Sequence, residues 1–172
     1  MIKFNKKVQH LIDACGANVL SLKQYEEKGF HPNSWEISSA GWFSISNNHI
    51  VINGNGKLPG ISDLVVLHEL THWTGTESRL SRACIVQMEQ VVKTGDSYFM
   101  PNKTSRQIEE IVAMWGMYYL AVALCLNEMQ ARNECDTYIS KHMGLLNVDQ
   151  CEIDGKRAAE WLLKFVELKI AA

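Results

Sequence analysis

The chain has 172 residues, a formal net charge of -2 and only 3 prolines, enough length for one sizeable core and the balance of an ordinary folded domain. That balance excludes the strongly basic footprint of a dedicated nucleic-acid binder, and no run of like charge forms a tail. Cys15, Cys84, Cys125, Cys135 and Cys151 are odd in number and lack a C-x-x-C pair, which argues against a disulfide framework and fits a reducing cytoplasm.

The first forty residues read as one or two short helices, with apolar positions at Phe4, Val8, Leu11 and Ile12 and a break at Gly29 and Pro32. Gln9, His10 and Asp13 interrupt the apolar stretch that a secretory signal would need. Residues 42 to 53, WFSISNNHIVIN, show two β-rich runs around Asn47 and Asn48, which tolerate the positive φ of a tight turn and predict a hairpin. A loop with Gly54, Gly56, Pro59 and Gly60 follows. Ser62 then caps a helix from Asp63 that should end at Gly75.

A second amphipathic helix is expected over about 80 to 93, ended by Gly95. Thr104 and Gln107 match a capping box and predict a long helix from Ser105 to Glu128. Its uncharged stretch, Ile111 to Leu126, falls short of the roughly 20 residues that span a bilayer, so no membrane segment is expected. Within that run, Cys125 reads as a small buried hydrophobe. A short helix around Thr137 to Met143 and a final one from Lys156 to Leu168, with Trp161, Leu162, Phe165 and Val166 on its apolar face, complete the chain.

The stretch LVVLHELTHWTG, residues 64 to 75, carries the chemistry. Positions four apart share a helix face, so His68 and His72 can aim imidazoles at one point while Glu69 projects beside them. With a third ligand, this H-E-x-x-H arrangement leaves one zinc position open to water, and Glu69 is placed to take its proton. The alternative is a core helix with incidental polar residues. It would bury two histidines and a glutamate with nothing to satisfy them.

The extended pattern H-E-x-x-H-x-x-G-x-x-H is met only as far as Gly75, because Ser78 stands in its last position, and a hydroxyl is a poor zinc ligand. His142 lies beyond the long helix and is a weak candidate. Glu109 and Glu110 are the stronger ones. Neighbouring helical residues diverge by about 100°, so only one can face the metal, and Glu110 is preferred because it shares a face with Ala113, Met114, Met117 and Ala121. In the competing reading both carboxylates merely favour a solvated helix start. The segment His49 to Asn53 could hold an extended substrate as an edge strand, or be an ordinary structural strand. Tyr118 and Tyr119 could stabilise an oxyanion, although aromatic packing suits them better.

The run LHELTHWTGTESRLSR, residues 67 to 82, resembles the zincin-like metallopeptidase domain of ArdC-type antirestriction proteins, above all in W-T-G followed by S-R-L-x-R. The resemblance reaches back through FSISNNHIVIN and forward through EEIVAMWGMYYLAVAL, which is similar to the family's E-E-L-V-A-E helix, to the closing segment from Tyr138. It implies His68, His72 and Glu110 as metal ligands and Glu69 as the catalytic residue. Met114 departs from it, standing where the family has a second acidic residue. Trp73, Arg79 and Arg82 match the run, with packing and loop-holding roles expected. Such proteins commonly add a single-stranded-DNA-binding region. Only about forty residues precede the hairpin here and the charge is not basic, so DNA binding is not carried over.

The expectation is an α+β zincin-like domain, mostly helical with a small antiparallel sheet beside the active-site helix. Residues 1 to 41 form an N-terminal helical extension and 42 to 172 the core of a single domain. It would bind Zn2+ and hydrolyse a peptide bond in a protein substrate or host defence protein, in the cytoplasm, for a plasmid or phage evading restriction. The rival is a non-catalytic antirestriction binding module whose metal only supports the fold.

Overall fold

The computed structural model describes residues 2–53, 61–141 and 148–170, with the backbone alone at 61–62 and 167–170. Asn5 accepts a hydrogen bond from the Lys7 amide and starts α1 (Lys6–Cys15), whose spacing of Val8, Leu11 and Ile12 turns one face into the core. The next elements are β1 (Asn18–Ser21), α2 (Leu22–Glu27), α3 (Ser34–Ser38), β2 (Gly41–Ser44) and β3 (His49–Ile52). The predicted hairpin is β2 and β3, with Asn48 in the turn at φ 51°.

Sequence periodicity gives residues 1 to 41 only helices, but β1 pairs in parallel with β3. NVLS is too short for alternation to stand out. The sheet order is therefore β1-β3-β2, a mixed sheet rather than the small antiparallel one expected, and His49 to Ile52 is its central strand. The edge nearest the candidate site is β2. Alternation along β3 sends Ile50 and Ile52 to the main core, while Val51 joins Leu20, Tyr25 and Trp42 on the other face, under α2.

Helix α4 (Ile61–Trp73) lies against that sheet and packs on α6 (Lys103–Ala123) and α8 (Val148–Ile170). Leu67 and Leu70 are fully buried, each a contribution of about 1.5–3 kcal/mol from burial. Between α4 and α6 runs α5 (Ala83–Thr94), ended at Gly95 as expected, and after α6 comes α7 (Glu128–Ser140).

Several boundaries differ from the sequence expectation. Asn102, not Thr104, caps α6 by accepting from the Ser105 amide. The helix stops at Ala123 rather than Glu128, because Cys125 adopts φ 52° and Asn127 caps α7. Cys125 is consequently exposed and not a core hydrophobe. Helix α7 starts well before Thr137, and α8 before Lys156. The inward positions that open α8 are Cys151, Gly155, Ala158 and Ala159, small residues with little hydrophobic signal. The loop with Gly54, Gly56, Pro59 and Gly60, the Ser62 side chain and His142 lie outside the described residues. The architecture is α+β, mostly helical with one three-stranded sheet. Among the described residues no helix is long and apolar enough to cross a membrane.

Candidate metal centre

Helix α4 is apolar on most of its circumference because it is enclosed by sheet and helices, and three of its polar residues share the face left open to a cleft. His68, Glu69 and His72 lie there. The cleft, of about 1050 Å³, runs between β2, α4, α5 and the start of α6, and Ile85, Met88, Met114 and Met117 line its apolar part.

His68 and His72 converge, with Nε2 atoms 3.1 Å apart. Glu110 reaches across from α6, placing Oε2 3.4 Å from His68 Nε2 and Oε1 3.4 Å from His72 Nε2. The three residues could hold a metal ion, since one ligand atom from each lies within 4.8 Å of the others. A divalent cation with bonds of about 2.0–2.2 Å needs ligand atoms roughly 3.0–3.5 Å apart, so the spacing fits. Two imidazole nitrogens and one carboxylate form a donor set that both zinc and manganese accept.

Glu109, the neighbouring carboxylate, faces the other side of the His72 ring, with Oε1 3.1 Å from Nδ1. Arg82 grips it through Nε, 2.9 Å from Oε2, and Nη2, 2.6 Å from Oε1. The divergence of adjacent helical residues thus splits the two glutamates between the two nitrogens of one imidazole, a role for Glu109 that its sequence position alone does not reveal.

Electrostatics follow burial and pairing. Burial opposes ionisation of Glu110, but the charge of His72 and hydrogen bonds from both histidines outweigh it and hold the carboxyl far below the usual range. Burial likewise opposes charging of His72, yet Glu110's charge and the bonds to Glu109 and Glu110 raise its pKa well above the ordinary histidine value. For Glu109 burial again works upward, and Arg82 reverses it, leaving the pKa lowered. Glu69 is the exception. Only 7% exposed, it has its pKa raised by burial, against the partial opposition of His68, His72 and a hydrogen bond from the Phe43 amide.

The other residues singled out in the sequence hold the frame. Trp73 is buried, donates from Nε1 to Asn48 Oδ1 at 3.1 Å and carries the Arg79 guanidinium 3.6 Å from its ring centre. Arg79 also donates to the Trp73 carbonyl, as its expected loop-holding role requires. Ser78 Oγ lies 3.5 Å from Thr76 Oγ1. Met114 lines the cleft with an apolar surface. Tyr119 donates to Glu152 Oε1 at 2.5 Å and stacks on Trp115, while Tyr118 packs edge-on to the same indole; neither lines the cleft. Tyr138 on α7, which the sequence does not mark, has its phenol pKa raised by burial and by the charge of Glu110.

No family model matches the chain, and no curated protein matches it. Among solved structures, the antirestriction protein ArdC from the R388 plasmid in its Mn(II)-bound form is similar, with a TM-score of 0.59 and 16% identity over 95% of this chain and 53% of that one. Its metal-free form gives a TM-score of 0.57 and 17% identity over 95% of this chain and 51% of that one. The likeness is one of fold, and the chain spans about half the length of that protein.

Proposed function

We propose that this chain is a metal-dependent peptidase domain that serves antirestriction for a plasmid or phage. The observation that carries the reading is the convergence of His68, His72 and Glu110 within ligand distance beside a buried, otherwise costly Glu69. The solved protein of like fold is an antirestriction protein and has a Mn(II)-bound form, which supports a metal and the biological setting. Zinc is our assignment for the ion, from the H-E-x-x-H donor pattern.

Bound between the three ligands, a divalent cation supplies Lewis acidity, which makes water nucleophilic near neutral pH and polarises a carbonyl. Glu69 takes the proton from the attacking water and passes it to the leaving amine. Its pKa, raised by burial, makes it a stronger base toward that water than an exposed carboxylate would be. The substrate lies along β2, not along His49 to Asn53, whose two sides are already paired. In an antiparallel ladder a residue's amide and carbonyl point the same way. The Asn53 amide donates to the Ala40 carbonyl across the ladder, so alternation along β2 turns the Phe43 amide and carbonyl to the open side, the carbonyl available to an extended segment of a protein target.

Glu69→Gln tests the reading. The variant should fold, bind zinc as the parent does and lose at least a hundredfold in peptide hydrolysis and in protection of DNA from restriction. A variant that protects fully would instead identify a binding module in which the metal serves only the fold.

A further inference from the structure

We infer that Arg82 is a positioning residue for the metal centre, acting on His72 through Glu109. The inference rests on the metal-site reading above. Arg82 comes from the loop after α4 and stands immediately before α5, with Nε donating to Glu109 Oε1 at 3.1 Å and to Oε2 at 2.9 Å. Nη2 donates to Glu109 Oε1 at 2.6 Å and to the Thr71 carbonyl at 2.5 Å, and Nη1 to Thr74 Oγ1 at 2.7 Å. The planar fork is therefore fixed on two sides at once, by α6 and by the last turn of α4. Gly75 makes the space, since a Cβ there would lie 2.9 Å from Nη2 and 2.6 Å from Ile85 Cγ1.

Stability alone does not account for this arrangement. The side chains of Arg82 and Glu109 are 11% and 5% exposed, and an ion pair so deeply buried often adds no more than apolar residues of the same volume. What it fixes is direction. Held by the guanidinium, Glu109 Oε1 lies 3.1 Å from His72 Nδ1 as an acceptor, so in the metal-binding ring Nδ1 keeps its hydrogen and Nε2 is the nitrogen left to turn a lone pair toward the space shared with His68 and Glu110. The opposite tautomer would put a hydrogen in the middle of the ligand set. Lysine could supply the charge of Arg82 but not the fork.

The test uses the whole chain, stripped of metal, titrated calorimetrically with Zn(II) and spectroscopically with Co(II). Glu109→Gln should lower Zn(II) affinity about 10- to 100-fold, and Arg82→Lys should lower it in the same direction and alter the visible Co(II) spectrum. The double variant should lose about as much as the worse single one, because the two act in series. Thr74→Val removes one anchor of the guanidinium and leaves both charges, so it covers the case in which the other variants fold poorly. Its affinity should fall several-fold. Parent-like affinity and spectrum in variants whose metal-free melting temperature drops would overturn the proposal, as would strictly additive losses. If the parent itself binds neither Zn(II) nor Co(II), the metal-site reading fails first and the proposal with it.

Discussion

Thr71 and Gly116 meet where α4 crosses α6, so closely that a Cβ on the glycine would lie 2.4 Å from both Oγ1 and Cγ2 of the threonine. The two helices carry the histidines and Glu110, so this approach sets the width of the ligand cluster. Gly116→Ala should gain about 1 kcal/mol from helix propensity, but overpacking a buried contact costs about 1–3 kcal/mol, and at this separation the clash should win. The expected result is a net loss of up to about 2 kcal/mol, or a few degrees in melting temperature, together with weaker Zn(II) binding. Adding Thr71→Ala, which removes both clashing atoms, should restore much of each. A more stable single variant with unchanged binding would contradict the argument.

Asn48 links the hairpin to the end of α4. Its Oδ1 accepts from Trp73 Nε1 at 3.1 Å and from Arg79 Nη2 at 3.3 Å, and its φ of 51° is one that few side chains tolerate. Asn48→Ala loses both bonds and strains the turn, at a cost of about 2–3 kcal/mol, whereas Asn48→Gly relieves the strain and should cost about 1–2 kcal/mol. Urea unfolding of the two variants measures the difference. Equal losses would show that the turn conformation contributes nothing.

Where the sequence is informative, it is so because local physics decides the outcome. The i, i+4 histidines, the turn at Asn47 and Asn48, and Gly95 as a helix end each follow from backbone geometry within a few residues. That Glu110, and not Glu109, faces the two Nε2 atoms was legible from the face it shares with Met114 and Met117. Glu109 was not, because its partner Arg82 lies 27 positions away and nothing local joins them. Strand β1 escaped for the same reason: its identity comes from pairing with β3, a contact between distant segments. The early break of α6 turns on Cys125 adopting a left-handed φ, which an apolar run hides.

Phe43 offers a direct probe of Glu69. Its amide hydrogen bond favours the ionised carboxylate, so removing it should push the already raised pKa of Glu69 higher still. Phe43→Pro deletes that N–H at an edge-strand position where proline is tolerated, since the amide points away from the ladder. The acidic limb of the pH dependence of peptide hydrolysis should then move to higher pH, while Zn(II) affinity stays within about threefold of the parent. An unmoved limb would mean that another group sets it.

Protons and metal compete for the same cluster, and the sign of that competition can be stated. In the metal-free chain His72 has a raised pKa, so it is largely protonated near neutral pH, and Nε2 cannot bind a cation until that proton leaves. Zn(II) affinity should therefore fall about tenfold per pH unit as pH drops below the raised value, with close to one proton released per ion bound in that range. Stability of the metal-free chain runs the other way: the pair of protonated His72 with Glu110 contributes fully below the unfolded histidine pKa of about 6.5 and is lost as pH rises through the folded value. Added Zn(II) should raise the melting temperature most on the alkaline side, where the metal-free chain has lost that pair and the ion binds best. Calorimetric titrations between pH 6 and 8 in buffers of different ionisation enthalpy measure the proton count, and an affinity flat across that interval would rule out His72 as a ligand.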